Sequence, residues 1–170
     1  MDVLHPILMA ESETGIRVRY IQPSDRERWL ALRCQLWPDE RKDLLTEDTQ
    51  RFFAEPARSG GVLPEAVVVA EDPENAPDIL GFAELSRRLY AEGCETSPVG
   101  FLEGWFVVAS VRGRGIGRAL VEAGEQWARA VGCKEFASDT LVDNIGSAAA
   151  HRALGFEEVE VIRCFRKDLE

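Results

Sequence analysis

GFLEGWFVVASVRGRGIGRAL, running from Gly100 to Leu120, reads as a buried strand that feeds a glycine-rich turn, and the turn opens a helix. Gly113, Gly115 and Gly117 lack a Cβ and let main-chain N–H groups approach a ligand, while the first turn of a helix leaves its own N–H groups unpaired. Arg112, Arg114 and Arg118 crowd the same end, where each cation opposes the helix dipole by roughly 0.3–1 kcal/mol. Such a loop asks for an anion, and a diphosphate is the natural candidate.

A dinucleotide loop needs G-x-G-x-x-G, but here the third glycine, Gly117, comes one place early and Arg118 takes its position. The phosphate loop of nucleotide hydrolases needs a lysine after its glycines, and none follows these. What the residues do match is R-x-x-G-x-G, Arg112 to Gly117, which resembles the acyl-CoA pyrophosphate loop of the GNAT superfamily of N-acyltransferases. By itself such a turn can equally cap a helix. Downstream, Asn144, then His151, then Ala153-Leu154-Gly155-Phe156, resemble the second half of the same site, where the family places a helix beside the pantetheine arm and a G-F turn.

The bulk properties agree with a soluble enzyme-sized domain. A chain of 170 residues with 45% apolar content can bury one core. No run approaches the roughly 20 apolar residues that cross a bilayer, and a cytoplasmic protein is expected. Cys34, Cys94, Cys133 and Cys164 are scattered without C-x-x-C or histidine spacing, so reduced thiols are expected and no metal site. A net charge of −10 disfavours nucleic acid and anionic membrane as partners and favours a cationic one. The basic loop at Arg112 to Arg118 then stands out as a local anion site in an acidic chain.

Residues 1–14 show no clear period and are expected to form a loose leader to a single domain, 15–170. Ile16 to Ile21 alternates as a half-buried strand; Pro23-Ser24-Asp25 starts a helix with Trp29, Leu32, Cys34 and Leu36 turned inward. A second helix is expected over about Thr46 to Glu55. A turn at Gly60 and Gly61 leads to strand Ala66 to Ala70, and the polar connection 72–77 leads to strand Ile79 to Leu89. Tyr90 to Val99 is a loop. After the glycine turn, Ile116, Leu120, Ala123, Trp127 and Val131 recur at helical spacing, with Gly132 placed to end that helix. Cys133 to Ser138 is a short strand, Asn144 to Leu154 a helix, and Phe156 to Lys167 a final strand or strand pair. The order implies an α/β domain whose mixed sheet is antiparallel in its first half, with a parallel pair at the acyl-CoA site and about four helices.

Further segments resemble the aminoglycoside 6'-N-acetyltransferases: L-W-P at Leu36 to Pro38, the loop from Tyr90 through Gly93 and Cys94 to Pro98, F-L-E-G at Phe101 to Gly104, A-S-D-T at Ala137 to Thr140, and the run from His151 to Glu158. The resemblance spans Ile16 to Lys167. It implies acetyl-CoA as donor and an aminoglycoside amine as acceptor. It also implies that Trp37, Tyr90, Glu103 and Asp139 line the acceptor pocket with Glu95 close by, and that the protein is a homodimer. Donor contacts are expected from the main chain around Phe106, Val107 and Val108, from Arg112, Gly113, Arg114, Gly115, Ile116, Gly117 and Arg118, and from Asn144.

Glu103 sits among apolar residues, where an unpaired carboxylate is costly, so it must face a wet cleft or hold a partner. A bound ammonium is one partner; an internal arginine is the other. Asp139 can bind the acceptor or cap the helix that starts near Asn144. Trp37 and Tyr90 can line the pocket or fill core. The acceptor amine must lose a proton as it attacks the thioester, and Glu103 then Asp139 are the candidate bases. His151 stands where many relatives use a tyrosine to protonate the departing thiolate, and its imidazole can supply that acid or be a structural hydrogen-bonder. Phe165, near the chain end where relatives can carry tyrosine, cannot donate a proton. A polyamine, a protein lysine or an N-terminus would suit the same acidic cleft, and a non-catalytic acyl-CoA sensor would need only the arginine-glycine loop.

Overall fold

A computed structural model describes residues 10–11, 15–54, 63–73 and 78–169. Among the described residues six strands form one sheet in the order β1 (Ala10–Glu11), β2 (Arg17–Tyr20), β3 (Ala66–Glu71), β4 (Ile79–Arg88), β5 (Val99–Val107) and β6 (Phe136–Ser138). Neighbours are antiparallel from β1 through β5, and β5 pairs with β6 in parallel. The α-helices among the described residues are α1 (Arg26–Leu36), α2 (Lys42–Ala54), α3 (Ile116–Ala130) and α4 (Ile145–Ala153). The expected mixed α/β sheet with its single parallel pair is therefore the observed one.

The sheet separates two cores because side chains alternate across it. Val68, Ala70, Ala83, Leu85 and Leu102 face α3, whose Ile116, Leu120, Ala123 and Trp127 are all buried. On the other face Val67, Val69, Ile79 and Phe82 pack against Trp29 and Leu32 of α1, with Phe52 and Phe53 of α2 closing the edge. Fully burying a side chain such as Leu32 or Phe82 contributes roughly 1.5–3 kcal/mol, so both helical layers are held by the sheet rather than by helix propensity. A smaller cluster, Ala91, Val99 and Phe101, lies under the Tyr90 to Val99 loop.

Three expectations change. Helix α2 begins at Lys42, four residues before Thr46. Ala10 and Glu11, within the segment read as a leader, pair with Val18 and Arg17 as β1. The strand expected over Phe156 to Lys167 is not formed: 157–169 carries no strand pairing and is exposed throughout. Its β-branched alternation supplies propensity, but a strand needs a paired edge, and among the described residues the arm pairs with none. The turn at Gly60 and Gly61 and residues 74–77 of the connection lie outside the described residues, as do the remaining leader positions.

Candidate active site

Strand β5 carries both halves of the site. Its parallel pairing with β6 ends at Leu102 opposite Ser138, so Glu103 to Val107 continue beyond the last rung and the two strands open a cleft between them. Glu103 and Asp139 each lie one residue past the final pair, where the two strands begin to part. The far end of β5 runs through one 3-10 turn, Ala109–Val111, into the loop that starts α3.

Glu103 is aimed by a bulge. Glu84 of β4 opposes Gly104 and Leu85 opposes Leu102, which leaves Glu103 as an extra residue in β5. An added residue kinks a strand and re-aims its side chain, here onto the α1 face of the sheet. Gly104 makes room beside it for Trp37: a Cβ on Gly104 would lie 2.7 Å from Cη2 of that indole. Trp37, half-buried at the end of α1, thus lies over β5 next to Glu103.

The carboxylate of Glu103 is not unpartnered. Arg88 donates to it through both faces of its fork, Nε to Oε1 at 3.0 Å and Nη2 to Oε2 at 2.5 Å. The same guanidinium stacks on Phe101, with Cζ 3.4 Å from the ring centroid. Of the two partners weighed for Glu103, this structure shows the arginine. Asp139 is exposed and does not cap α4; Asn144 does, its Oδ1 accepting from Ser147 N–H at 3.1 Å. Asn144, expected at the donor, therefore has its oxygen committed to the helix cap.

Tyr90 and Glu95 lie on the exposed loop between β4 and β5, Tyr90 at 67% exposure. Sequence spacing gave no hint of what holds this loop. Glu135, just before β6, accepts from the N–H groups of Glu95 and Thr96 and from the Thr96 hydroxyl. Those donors, the hydroxyl first, hold the Glu135 carboxyl below its ordinary range.

At the other end of β5 the amides sort themselves. Val108 N–H donates to Leu80 O at 2.9 Å, so it is spent on the sheet, contrary to the expectation that it meets the donor. Phe106 also turns its carbonyl toward β4, where it limits the space over Gly81. Val107 faces the open edge, its carbonyl accepting from Arg112 Nε at 2.9 Å, and its N–H points the same way. Gly115 caps α3 with φ +81° and no side-chain acceptor, and the first turn holds no acid. Arg112 and Arg114 are exposed there, and exposed Arg118 reaches Ala153 O at 3.3 Å, tying α3 to α4. Gly117 has a different task from the one expected: a Cβ would sit 2.8 Å from Cζ2 of Trp105, so this glycine lets α3 close on β5. Unpaired helix N–H groups, a left-handed glycine and two exposed guanidiniums fit a diphosphate.

His151 of α4 lies between the rings of Trp105 and Phe156, at 5.4 and 5.1 Å. Nδ1 is 2.8 Å from Ser147 O, which fixes it as a donor, and Nε2 is 3.0 Å from Ser138 Oγ. Both ring nitrogens thus have partners within the chain. Among the described residues no group of His, Cys, Asp and Glu could hold a metal ion, and no helix is long and apolar enough to cross a membrane.

The model of the acetyltransferase (GNAT) family matches residues 26–156. An aminoglycoside N(6')-acetyltransferase type 1 of Klebsiella aerogenes is 49% identical over 152 residues, covering 89% of this chain and 96% of the relative. One from Stenotrophomonas maltophilia is 44% identical over 154 residues, with 90% and 94% covered. Among solved structures, the aminoglycoside antibiotic 6'-N-acetyltransferase AAC(6')-Ih of Acinetobacter baumannii matches with a TM-score of 0.79 at 37% identity, over 92% of this chain and all 100% of that one. AAC(6')-Iy in complex with the bisubstrate analogue CoA-S-monomethyl-acetylneamine matches with a TM-score of 0.78 at 36% identity, over 90% and 98%.

Proposed function

We propose, from a chain that belongs to the GNAT acetyltransferase family and within it to the aminoglycoside N(6')-acetyltransferases, that it acetylates the 6'-amino group of an aminoglycoside with acetyl-CoA and so confers resistance. The observation that carries this is the layout of β5: an amide-and-arginine loop at one end, and Glu103, Asp139 and Trp37 around the cleft mouth at the other.

In this reading the α3 N-terminus with Arg112 and Arg114 holds the diphosphate, and the Val107 N–H bonds the donor at the open edge of β5. Trp37 offers a flat apolar face to a sugar ring. Asp139, with Glu95 and Tyr90 on the neighbouring loop, receives the other ammonium groups. The acceptor nitrogen forms a bond to the acetyl carbon as the carbon–sulfur bond breaks; its proton passes to Glu103 or Asp139, directly or through water. Holding amine and thioester in attack geometry contributes on the order of 7–11 kcal/mol, which makes positioning the main source of rate. His151, with both nitrogens engaged, serves in this reading to hold α4 on β6.

The same proposal includes a homodimer. Val159, Val161 and Phe165 of the arm 157–169 are 60, 66 and 92% exposed, and β6 ends the sheet with an open edge. A second copy is the proposed partner for an arm with strand propensity and for a sheet that ends at β6.

The test is a thiol-release assay with acetyl-CoA against kanamycin, spermidine and a lysine peptide, with mass spectrometry to locate the acetyl group. Acetylation of kanamycin at the 6' position is expected. Turnover of the peptide or spermidine alone would remove the drug-modifying assignment.

A further inference from the structure

We propose that Arg88 is an exchangeable counter-ion that sets acceptor affinity: in the free protein its guanidinium holds the place at Glu103 that an acceptor ammonium takes, and binding swaps one cation for the other. The inference rests on the acceptor role proposed above for Glu103.

Two of the arginine–carboxylate pairs on the α1 face of the sheet differ in a way that matters. Arg33 and Glu84 are 7% and 3% exposed, locked beneath α1. Arg88 and Glu103 are 39% and 26% exposed, beside the point where β5 and β6 part. An ion pair that open contributes little to stability, so it can be broken without loosening the fold. Both oxygens of Glu103 accept from Arg88, and the pair presents no net charge to an approaching polycation. While it stands, the bulge that aims Glu103 into the cleft offers the acceptor a carboxylate already neutralised.

The surroundings favour exchange over permanent pairing. Arg88 is the last residue of β4, and the next two residues, Leu89 and Tyr90, are 80% and 67% exposed, which leaves the released guanidinium room in water. Phe101 gives it a flat resting place from which it reaches Glu103, with Cζ 3.4 Å above the ring. A cation retained beside an arriving ammonium repels it, so acceptor binding requires Arg88 to turn away.

Arg88→Met tests this. Kanamycin KM is expected to fall about fivefold, the worth of one like-charge contact in water, with acetyl-CoA KM unchanged. The effect should vanish in an E103Q background. Kanamycin KM that stays level or rises in Arg88→Met, or that falls equally in E103Q, overturns the proposal and leaves Arg88 as a group that merely orients Glu103. E103Q alone leaving kanamycin KM unchanged would instead remove Glu103 from acceptor recognition, which separates the two failures. A second readout uses the unmutated protein loaded with coenzyme A: the Arg88 Nε–H signal in a nitrogen–proton spectrum should lose its protection from water exchange when kanamycin is added. Retained protection at saturating kanamycin refutes the exchange.

Discussion

Arg33 and Glu84 meet beneath α1 with Nε 2.8 Å from Oε1, and the guanidinium is flanked by two indoles, Trp29 at 5.1 Å and Trp37 at 5.3 Å. Arg33 Nη1 also donates to Leu45 O and to the Thr49 hydroxyl, so one buried cation links α1, α2, β4 and the Trp37 ring over Gly104. The Nε–H itself is not aligned on an acceptor, which makes the contact with Glu84 mainly Coulombic. Trp29 Nε1 donates to the same Glu84 oxygen at 3.1 Å. A buried pair of this kind stabilises little in net, yet it fixes where Trp37 stands.

Burial pushes the Glu84 carboxyl up to about 7, with Arg33 and the Trp29 indole pulling the other way. A value raised on folding means that the native state binds the proton more tightly than the unfolded chain. The favourable contribution is complete below the ordinary carboxylate value of 4.5 and is lost as pH rises through about 7. Glu84→Gln removes this titration while leaving the exposed carboxylates alone. Between about pH 5 and pH 8 its unfolding free energy should rise relative to that of the parent by on the order of 2 kcal/mol. Urea titrations at the two pH values read this difference directly, and the constant offset from the unpaired Arg33 cancels.

Gly115 and Gly117 are two residues apart and should fail for different reasons. Gly115→Ala meets nothing within 4 Å but must hold φ +81°, a backbone strain of roughly 1–2 kcal/mol. Gly117→Ala keeps ordinary helical backbone and drives a methyl into Trp105 at 2.8 Å, an overpacking cost of roughly 1–3 kcal/mol. Thermal unfolding should show both losses. Only the first distorts the amides at the helix start, so acetyl-CoA KM should rise more in Gly115→Ala than in Gly117→Ala.

The sequence pattern carried the arginine-glycine loop, the strand before it and the α3 stripe, because each depends on local chemistry or a fixed period. It also placed Glu103 in a hydrophobic strand, where burial demanded a partner. The choice of partner was invisible: Arg88 lies on another strand, and the bulge that turns Glu103 toward it arises from the register of two strands. Arg33 was hidden for a similar reason. By helical spacing it falls on the inward stripe with Trp29, Leu32 and Leu36, but its partners come from α2 and β4, far away in sequence. The arm 157–169 misled in the opposite direction, since strand propensity is visible in one chain and its pairing edge is not.

Glu135 makes a separable prediction about the loop that carries Tyr90 and Glu95. Its carboxylate gathers three donors from Glu95 and Thr96, and these hold it in the ionised form to lower pH than an ordinary glutamate. The tether is therefore present above the usual carboxylate range and is lost as pH falls through the depressed value. Glu135→Ala should raise acceptor KM roughly three- to tenfold while leaving acetyl-CoA KM in place. Steady-state kinetics with each substrate varied in turn will show whether the loss is confined to the acceptor.

His151 offers the sharpest choice between scaffold and acid. Its Nδ1 is bound to the carbonyl one helical turn back, at Ser147, and its Nε2 to the hydroxyl of Ser138, the last paired residue of β6. Ser138 Oγ also lies 3.2 Å from Leu102 O, so imidazole and hydroxyl together span α4, β6 and β5 at the point where the cleft begins. Replacement by Phe keeps the stacking with Trp105 and Phe156 but removes the bonds to Ser138 and Ser147, at a cost of roughly 0.5–1.5 kcal/mol each in stability, the Ser138 hydroxyl keeping Leu102 O. Replacement by Gln keeps a polar group on α4 and should recover part of that loss. For a scaffold, kcat in His151→Gln falls by less than about tenfold, and the pH profile of kcat keeps its shape. A general acid contributes about 10²–10⁴-fold, so a drop of that size with one limb of the profile erased would make His151 the proton donor to the thiolate.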